Sequence, residues 1–360
     1  MRKYHEQIID TVFVMLGPKC NLRCRYCLQQ PLRSDRDREE IDPEVIEFIR
    51  DIARNQSVPV TVHFYGGEPL MYKQEMREII EALHTEPNTH LSMISNGMLL
   101  TDELVEYLNA RDVYCSISWD GPGTCDVRGV DVFAEEQRRS RALSLKHLRL
   151  SSVVSAYNYP LETLDAFIDL DQEYQQRSGQ SLFLGFDEIM DTGLADRTLL
   201  DIDFDRVYRD MSVIAAETGK MLRGETCNPW YAHLGRQYIN RMKNNVDGNR
   251  SFLRGTCACG NGYSVLNMDL RGNLYRCHNA DTVVGSIRDS YGQYLSNVVL
   301  HDPTRENTEH CAACPVVSLC DGGCPLLGQD IRNAYYCNLK KAMFLPFVEL
   351  VIRLNEEDGA

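Results

Sequence analysis

Six short runs of apolar and β-branched residues punctuate the first half of the chain: Thr11–Leu16, Val60–Tyr65, His90–Ser95, Val113–Trp119, Leu148–Ala156 and Leu182–Ile189. Each has the length of a strand and is bounded by turn residues. The stretches between them carry helical spacing. Val45, Ile46, Ile49 and Ile52 share one face, opened by Asp42 as N-cap and Pro43 as first helical residue. Leu104, Val105 and Leu108 follow Thr101 in the same way, and a further helix is expected over Phe204–Leu222. Strands alternating with helices at this spacing predict parallel βαβ units with right-handed crossovers. Six units are fewer than the eight of a closed barrel. The expected fold is therefore α/β, a partial (β/α)6 TIM-like barrel, with a doubly wound open sheet as the alternative.

Beyond Leu222 the pattern changes. Residues 223–256 mix a helical signal (Tyr231, Leu234, Tyr238, Ile239) with a polar loop, Asn244–Arg250. From Cys257 onward turns and cysteines dominate, and a stretch so poor in apolar periodicity needs metal ligation to stabilise it. The organisation expected is a lead-in over 1–10, the barrel over 11–222, a linking segment over 223–256, a small cysteine-rich Fe–S domain over 257–345, and a tail over 346–360.

Composition narrows the chemistry. The chain has 360 residues, 43% of them hydrophobic and 25% charged, which is ordinary for a globular protein. Its formal net charge of -14 argues against a nucleic-acid partner. No stretch reaches the ~18 apolar residues of a membrane span, and no secretory signal opens the chain. The informative excess is 14 cysteines. Without a secretory signal, metal or redox use of these thiols is favoured over disulfides.

The cysteines fall into three groups. Cys20, Cys24 and Cys27 follow the first expected strand as C-N-L-R-C-R-Y-C. Cys257, Cys259, Cys277, Cys311, Cys314, Cys320, Cys324 and Cys337 lie near the end. Cys115, Cys125 and Cys227 are left over; the first reads as a small core residue and the others as loop thiols. Three thiolates on one loop can hold three irons of a [4Fe–4S] cube and leave the fourth open. A three-ligand zinc site is the alternative for that loop, and a zinc knuckle for C-A-A-C-P-V-V-S-L-C-D-G-G-C.

Taken together the spacings resemble the radical SAM family with a SPASM domain, in a layout similar to anaerobic sulfatase-maturating enzymes. C-x3-C-x2-C with Tyr26 before its last cysteine resembles the family signature. Tyr65-Gly66-Gly67-Glu68-Pro69 resembles its GGEP motif. Cys259, Gly272 and Cys277 fit C-x(9–15)-G-x4-C, and Cys311, Cys314, Cys320 and Cys324 fit C-x2-C-x5-C-x3-C, closed by Cys337. The resemblance implies S-adenosylmethionine on the open iron, reductive cleavage to a 5′-deoxyadenosyl radical, and hydrogen abstraction from a substrate. It implies three [4Fe–4S] clusters: one on Cys20, Cys24 and Cys27, a distal one on Cys311, Cys314, Cys320 and Cys337, and a proximal one on Cys259, Cys277 and Cys324. Either Cys257 supplies the fourth proximal ligand or that site is open.

The same resemblance assigns cofactor contacts to Tyr26, Gly66, Gly67, Glu68, Asn96, Ser118, Asp120 and Arg128. Glu68 is expected at the methionyl ammonium, Arg128 at the methionyl carboxylate, and Asn96, Ser118 and Asp120 at the ribose and methionine. Gly66-Gly67 is expected to let backbone approach the ligand closely. His278 stands where sulfatase maturases carry an aspartate base, so it is the candidate base, with Asp269, Asp281 and Tyr335 as further candidates.

The function expected is a cytoplasmic maturase that oxidises, cross-links or epimerises residues of a ribosomally made peptide. Sulfatase maturation to formylglycine, and a non-catalytic Fe–S or zinc scaffold, are the alternatives. A flavodoxin or ferredoxin is the expected electron donor. The 19 residues before Cys20 are too few for a leader-binding domain, so the barrel and SPASM surfaces or a separate protein are expected to recognise the leader.

Overall fold

The computed structural model of the chain describes residues 8–33, 40–190, 196–246, 260–301, 311, 313–320, 322–324, 327 and 332–358. Six strands form where the apolar runs place them: β1 Thr11–Met15, β2 Val60–Tyr65, β3 Thr89–Ser95, β4 Tyr114–Ser118, β5 Leu148–Val154 and β6 Phe183–Glu188. They pair in parallel in consecutive order, with registers such as Val12 on Val62 and Ser118 on Ser151. Consecutive order is the barrel topology; a doubly wound sheet would reverse direction partway across.

The intervening helices begin as their caps dictate. In α1, Pro43–Asn55, the Asp42 side chain accepts from the Glu44 N–H, and Val45, Ile49, Ile52 and Ala53 turn inward. In α3, Asp102–Ala110, Thr101 accepts from Leu104 N–H at 3.2 Å. Helix α2 is Lys73–Leu83, α4 Thr124–Arg128, α5 Glu136–Leu143, α6 Pro160–Ser178, α7 Phe204–Leu222 and α8 Pro229–Val246. Strand residues alternate between two faces. Val12, Val14, Val62, Phe64, Met93, Cys115, Ile117, Leu150 and Leu184 are buried on the helix side. Their neighbours Tyr65, Ile94, Ser118, Ser151, Val153, Gly185 and Asp187 line the barrel interior.

The C-terminal region is more regular than its sequence suggests. β7, Val265–Asp269, pairs in parallel with the free edge of β1, from Thr11 on Val265 to Met15 on Asp269. β8 (Asn273–Tyr275) and β9 (Val283–Ser286) then add antiparallel, giving one nine-stranded sheet ordered β6-β5-β4-β3-β2-β1-β7-β8-β9. Helix α9, Tyr291–Leu300, packs on β9 behind a capping box formed by Ser290 and Gln293. The last helix, Cys337–Asp358, runs unbroken across position 345, where the sequence places a domain edge, and packs along α7 and α8. Its Phe347 stacks on Tyr238 of α8 at 4.6 Å. Among the described residues no helix is long and apolar enough to cross a membrane.

Candidate active site

A cavity of about 870 Å³ opens at the carboxyl ends of the strands. The loop after β1 forms one wall and carries Cys20, Cys24 and Cys27. Its backbone is held from β2: Gly67 N–H donates to Gly17 C=O at 2.9 Å, and Glu68 N–H to Lys19 C=O at 2.8 Å. A Cβ on Gly66 would lie 2.4 Å from the Gly17 oxygen, and one on Gly67 2.2 Å from the Lys19 oxygen. The glycine pair therefore admits the cysteine loop itself, in addition to lining the cavity where a ligand would approach.

The far side of the loop is pinned by Arg25. It bonds Asp196 at 2.7 Å, the Asp126 carbonyl, Tyr157 and Thr198, while its own N–H donates to Val127 C=O. Burial raises the pKa of the Cys20 and Cys24 thiols above the usual thiol range. Two guanidinium groups reach the sulfurs: Arg33 to Cys27 Sγ at 3.2 Å and Arg128 to Cys24 Sγ at 4.0 Å. Three thiols on one loop, with cations aimed at two of them, fit an anionic iron–sulfur cluster. Among the described residues no group of three or more His, Cys, Asp or Glu side chains gathers tightly enough for a single metal ion.

The residues expected at the cofactor divide in two. Tyr26, Gly66, Gly67, Glu68, Asn96, Ser118 and Arg128 all line the cavity. Glu68 is nonetheless engaged, accepting from Ser95 Oγ at 2.7 Å, Asn96 N–H at 2.8 Å and Leu70 N–H at 3.0 Å. It ties the β2 turn to the β3 turn, and burial holds its carboxyl above the usual range. Asn96 accepts from Met98 N–H and donates to Asn21 of the cysteine loop.

Asp120, expected at the ribose, lies behind the wall. It is fully buried, accepts from Arg128 Nε at 2.6 Å, from the Tyr26 hydroxyl, and from Val153 N–H at 2.7 Å. Its oxygens thus hold Arg128 and Tyr26 in place and have no edge on the cavity.

The opposite wall comes from the C-terminal region. Cys277, Cys320 and Cys324 line the same cavity. Cys277 Sγ accepts from Asn261 Nδ2 at 3.5 Å and Asn279 N–H at 3.4 Å. Burial pushes the Cys320 thiol up to about 11, and Cys337 and Cys314 are close enough to add to that shift. Cys314 N–H donates to Cys311 C=O at 3.1 Å. Cys257 and Cys259 lie outside the described residues.

His278 is packed. Its ring stacks on Phe13 at 4.1 Å, meets Tyr65 edge-on at 4.7 Å, and bonds Asn267 Oδ1 through Nδ1 at 3.1 Å. Enclosure lowers its pKa to about 3, with the nearby His63 contributing, so it is neutral and a weak base. The other candidates stand apart from the cavity lining. Asp269 braces the β7–β8 turn through Arg271, Asn273 and Tyr275, Asp281 is exposed, and Tyr335 packs beside Phe204. Cys115 is a buried strand residue, Cys125 is exposed on α4, and Cys227 is half-buried.

Several residues of the site have no role assigned from the sequence. Gln29 Nε2 donates to His278 C=O and to Asn279 Oδ1, both at 2.8 Å, and the Tyr65 hydroxyl donates to Asn279 Oδ1 at 3.0 Å. These bonds join the two cysteine-bearing regions. Asp187 and Glu188 end β6. The parity of Leu184 places Asp187 on the interior, a signal available in the sequence.

Residues 14–124 match the Radical SAM superfamily. The radical SAM cyclopropyl synthase TigE of Paramaledivibacter caminithermalis is 24% identical, over 95% of this chain and 74% of its own. The cysteine-type anaerobic sulfatase-maturating enzyme of Clostridium perfringens is 22% identical over 90% of this chain and 92% of its own. Among solved structures, anSMEcpe with bound AdoMet superposes with a TM-score of 0.67 at 19% identity, covering 97% of this chain and 96% of that one. Streptococcus suis SuiB bound to the precursor peptide SuiA gives 0.60 at 14%, covering 89% and 73%. Residues 14–124 thus form a radical SAM domain, and the chain as a whole shares its fold with anSMEcpe and SuiB.

Proposed function

We propose that this enzyme oxidatively modifies residues of a ribosomally made peptide, by cross-linking, oxidation or epimerisation. The observation that carries the reading is the single cavity with Cys20, Cys24 and Cys27 on one wall and Cys277, Cys320 and Cys324 on the other. At about 870 Å³ it lies near the top of the range for small-molecule pockets. Solved relatives of the same fold were captured with peptides, anSMEcpe with Cp18Cys and SuiB with SuiA.

In this reading Cys20, Cys24 and Cys27 hold the cluster that binds S-adenosylmethionine, and that pair supplies the abstracting radical. Gly66, Gly67, Asn96, Ser118 and Arg128 bound the cofactor space, while Tyr26 and Asp120 fix Arg128. Cys277 and Cys324 belong to a proximal auxiliary cluster, with Cys259 and Cys257. Cys311, Cys314, Cys320 and Cys337 belong to a distal one. Flavodoxin or ferredoxin supplies the electron.

Sulfatase maturation is the second reading, favoured by coverage of nearly the whole sulfatase-maturating fold. Mass spectrometry of anaerobic reactions with reconstituted enzyme, reductant and S-adenosylmethionine separates the two. A sulfatase-motif peptide and short peptides encoded beside the gene are supplied together. Formylglycine in the first peptide establishes sulfatase maturation; a two-hydrogen mass loss, an added oxygen, or a D-residue found after hydrolysis in the second establishes peptide maturation. Neither change, with 5′-deoxyadenosine still formed, refutes both.

A further inference from the structure

We propose that Asp187 is the proton acceptor for the substrate in this site, an inference that rests on the peptide-maturase reading. Forming one new bond between a substrate carbon and a neighbouring heteroatom requires a balanced loss. The carbon gives a hydrogen atom to the adenosyl radical, the heteroatom gives a proton, and one electron passes to an acceptor of the iron–sulfur class. The chain must receive the proton at a group open to the cavity.

The acidic and imidazole groups on the cavity wall are mostly committed. Glu68 accepts three hydrogen bonds. Glu188 is locked to Lys340 at 2.7 Å and accepts from the Tyr336 hydroxyl at 3.0 Å. The His278 ring is stacked, with Nδ1 engaged. His301 terminates α9, with Nδ1 on the Asn297 carbonyl at 2.8 Å.

Asp187 differs. Its carboxylate receives one hydrogen bond, from Ser151 Oγ at 3.0 Å, and forms no ion pair among the described residues. Gly185, two residues earlier on the same face, lines the cavity beside it. The side chain is exposed to the cavity, where the surrounding walls desolvate its carboxylate and, with Glu188 beside it, raise its pKa. Tyr65 from β2, Tyr238 and Arg241 from α8, and Lys340 from the last helix face it. A carboxylate so placed holds a proton more readily than an exposed one.

The test compares wild type, D187N, D187E and H278N, reconstituted anaerobically with S-adenosylmethionine, reductant and the peptides above. The readout is modified peptide per 5′-deoxyadenosine formed. For D187N the ratio falls on the order of 100-fold, and D187E recovers part of it. An unchanged ratio in D187N, or a fall in H278N instead, overturns the proposal. A second arm needs no substrate: the folded protein is treated with carbodiimide and glycinamide, then mapped by mass spectrometry. Asp187 is labelled and Glu188 is spared; an unlabelled Asp187 overturns the proposal. If wild type alters no peptide, the peptide reading fails by itself and the labelling arm still decides the state of Asp187.

Discussion

Replacing Gly67 by alanine separates two reasons a protein needs glycine. Gly67 has no left-handed backbone requirement, yet its added Cβ would sit 2.2 Å from Lys19 C=O and 2.6 Å from Pro18 C=O. Backbone must move by about 1 Å to reach ordinary contact, an overpacking cost of about 1–3 kcal/mol. The move also strains the bonds from Gly67 N–H to Gly17 and from Glu68 N–H to Lys19, each worth about 1 kcal/mol net. The expected destabilisation is about 3–5 kcal/mol. Gly179 is the control: it has φ +70° at the end of α6 and nothing within 4 Å of its Cβ position. G179A costs only the left-handed strain, about 1–2 kcal/mol. Urea unfolding followed by circular dichroism measures both, and iron per chain after reconstitution reports the cysteine loop. G67A loses iron and G179A retains it. If G67A costs no more than G179A and loads iron fully, the buttress described here does not exist.

Three further outcomes follow from the same geometry. K340M strands the buried Glu188 carboxylate and costs about 3–5 kcal/mol in urea unfolding, while K340M combined with E188L recovers most of it. Burial alone would raise the Glu188 pKa, but the Lys340 ammonium and the bonds from Lys340 and Tyr336 hold it low, so the pair acts as a unit. Combining C20A, C24A and C27A lowers iron by about four per chain and leaves the iron bound by the C-terminal cysteines. Asp42, whose pKa is lowered by Arg288 and by Glu44 N–H, gives wild type a stability advantage over D42N at neutral pH. That advantage is present above the unfolded pKa of about 3.9 and vanishes as pH falls through the lower folded value, as thermal unfolding across pH will show.

The first half of the fold was legible because its signals are local. Asp42, Pro43 and Thr101 announce helix starts, and the apolar runs are strands within two residues of their observed ends. The cysteine loop was legible for the same reason, since one short segment supplies all three thiols. β7 was not, because Val265–Asp269 owes its place to pairing with β1, about 250 residues earlier, and no short window records that partner. At Asp120 the sequence leaves the neighbours unseen. Its position after β4 resembles a cofactor contact, but the Arg128 and Tyr26 side chains reach it first. Burial decided His278, since Phe13 and Tyr65 close on its ring from strands that sequence alone does not place beside it.

The pairing of β7 with β1 also dictates an order of events during synthesis. When β1 leaves the ribosome it can meet β2 soon after, but its other edge must wait for Val265. At 5–20 residues per second that delay is roughly 10–50 s. Through this interval the nascent chain presents an open strand edge and a half-built mouth, with three reduced thiols in reach of solvent and stray metal. Loading iron before the edge closes would place it on a loop still lacking the Gln29 bonds to His278 and Asn279. Maturation of this enzyme therefore favours a cell that holds the thiols reduced until the late strand arrives.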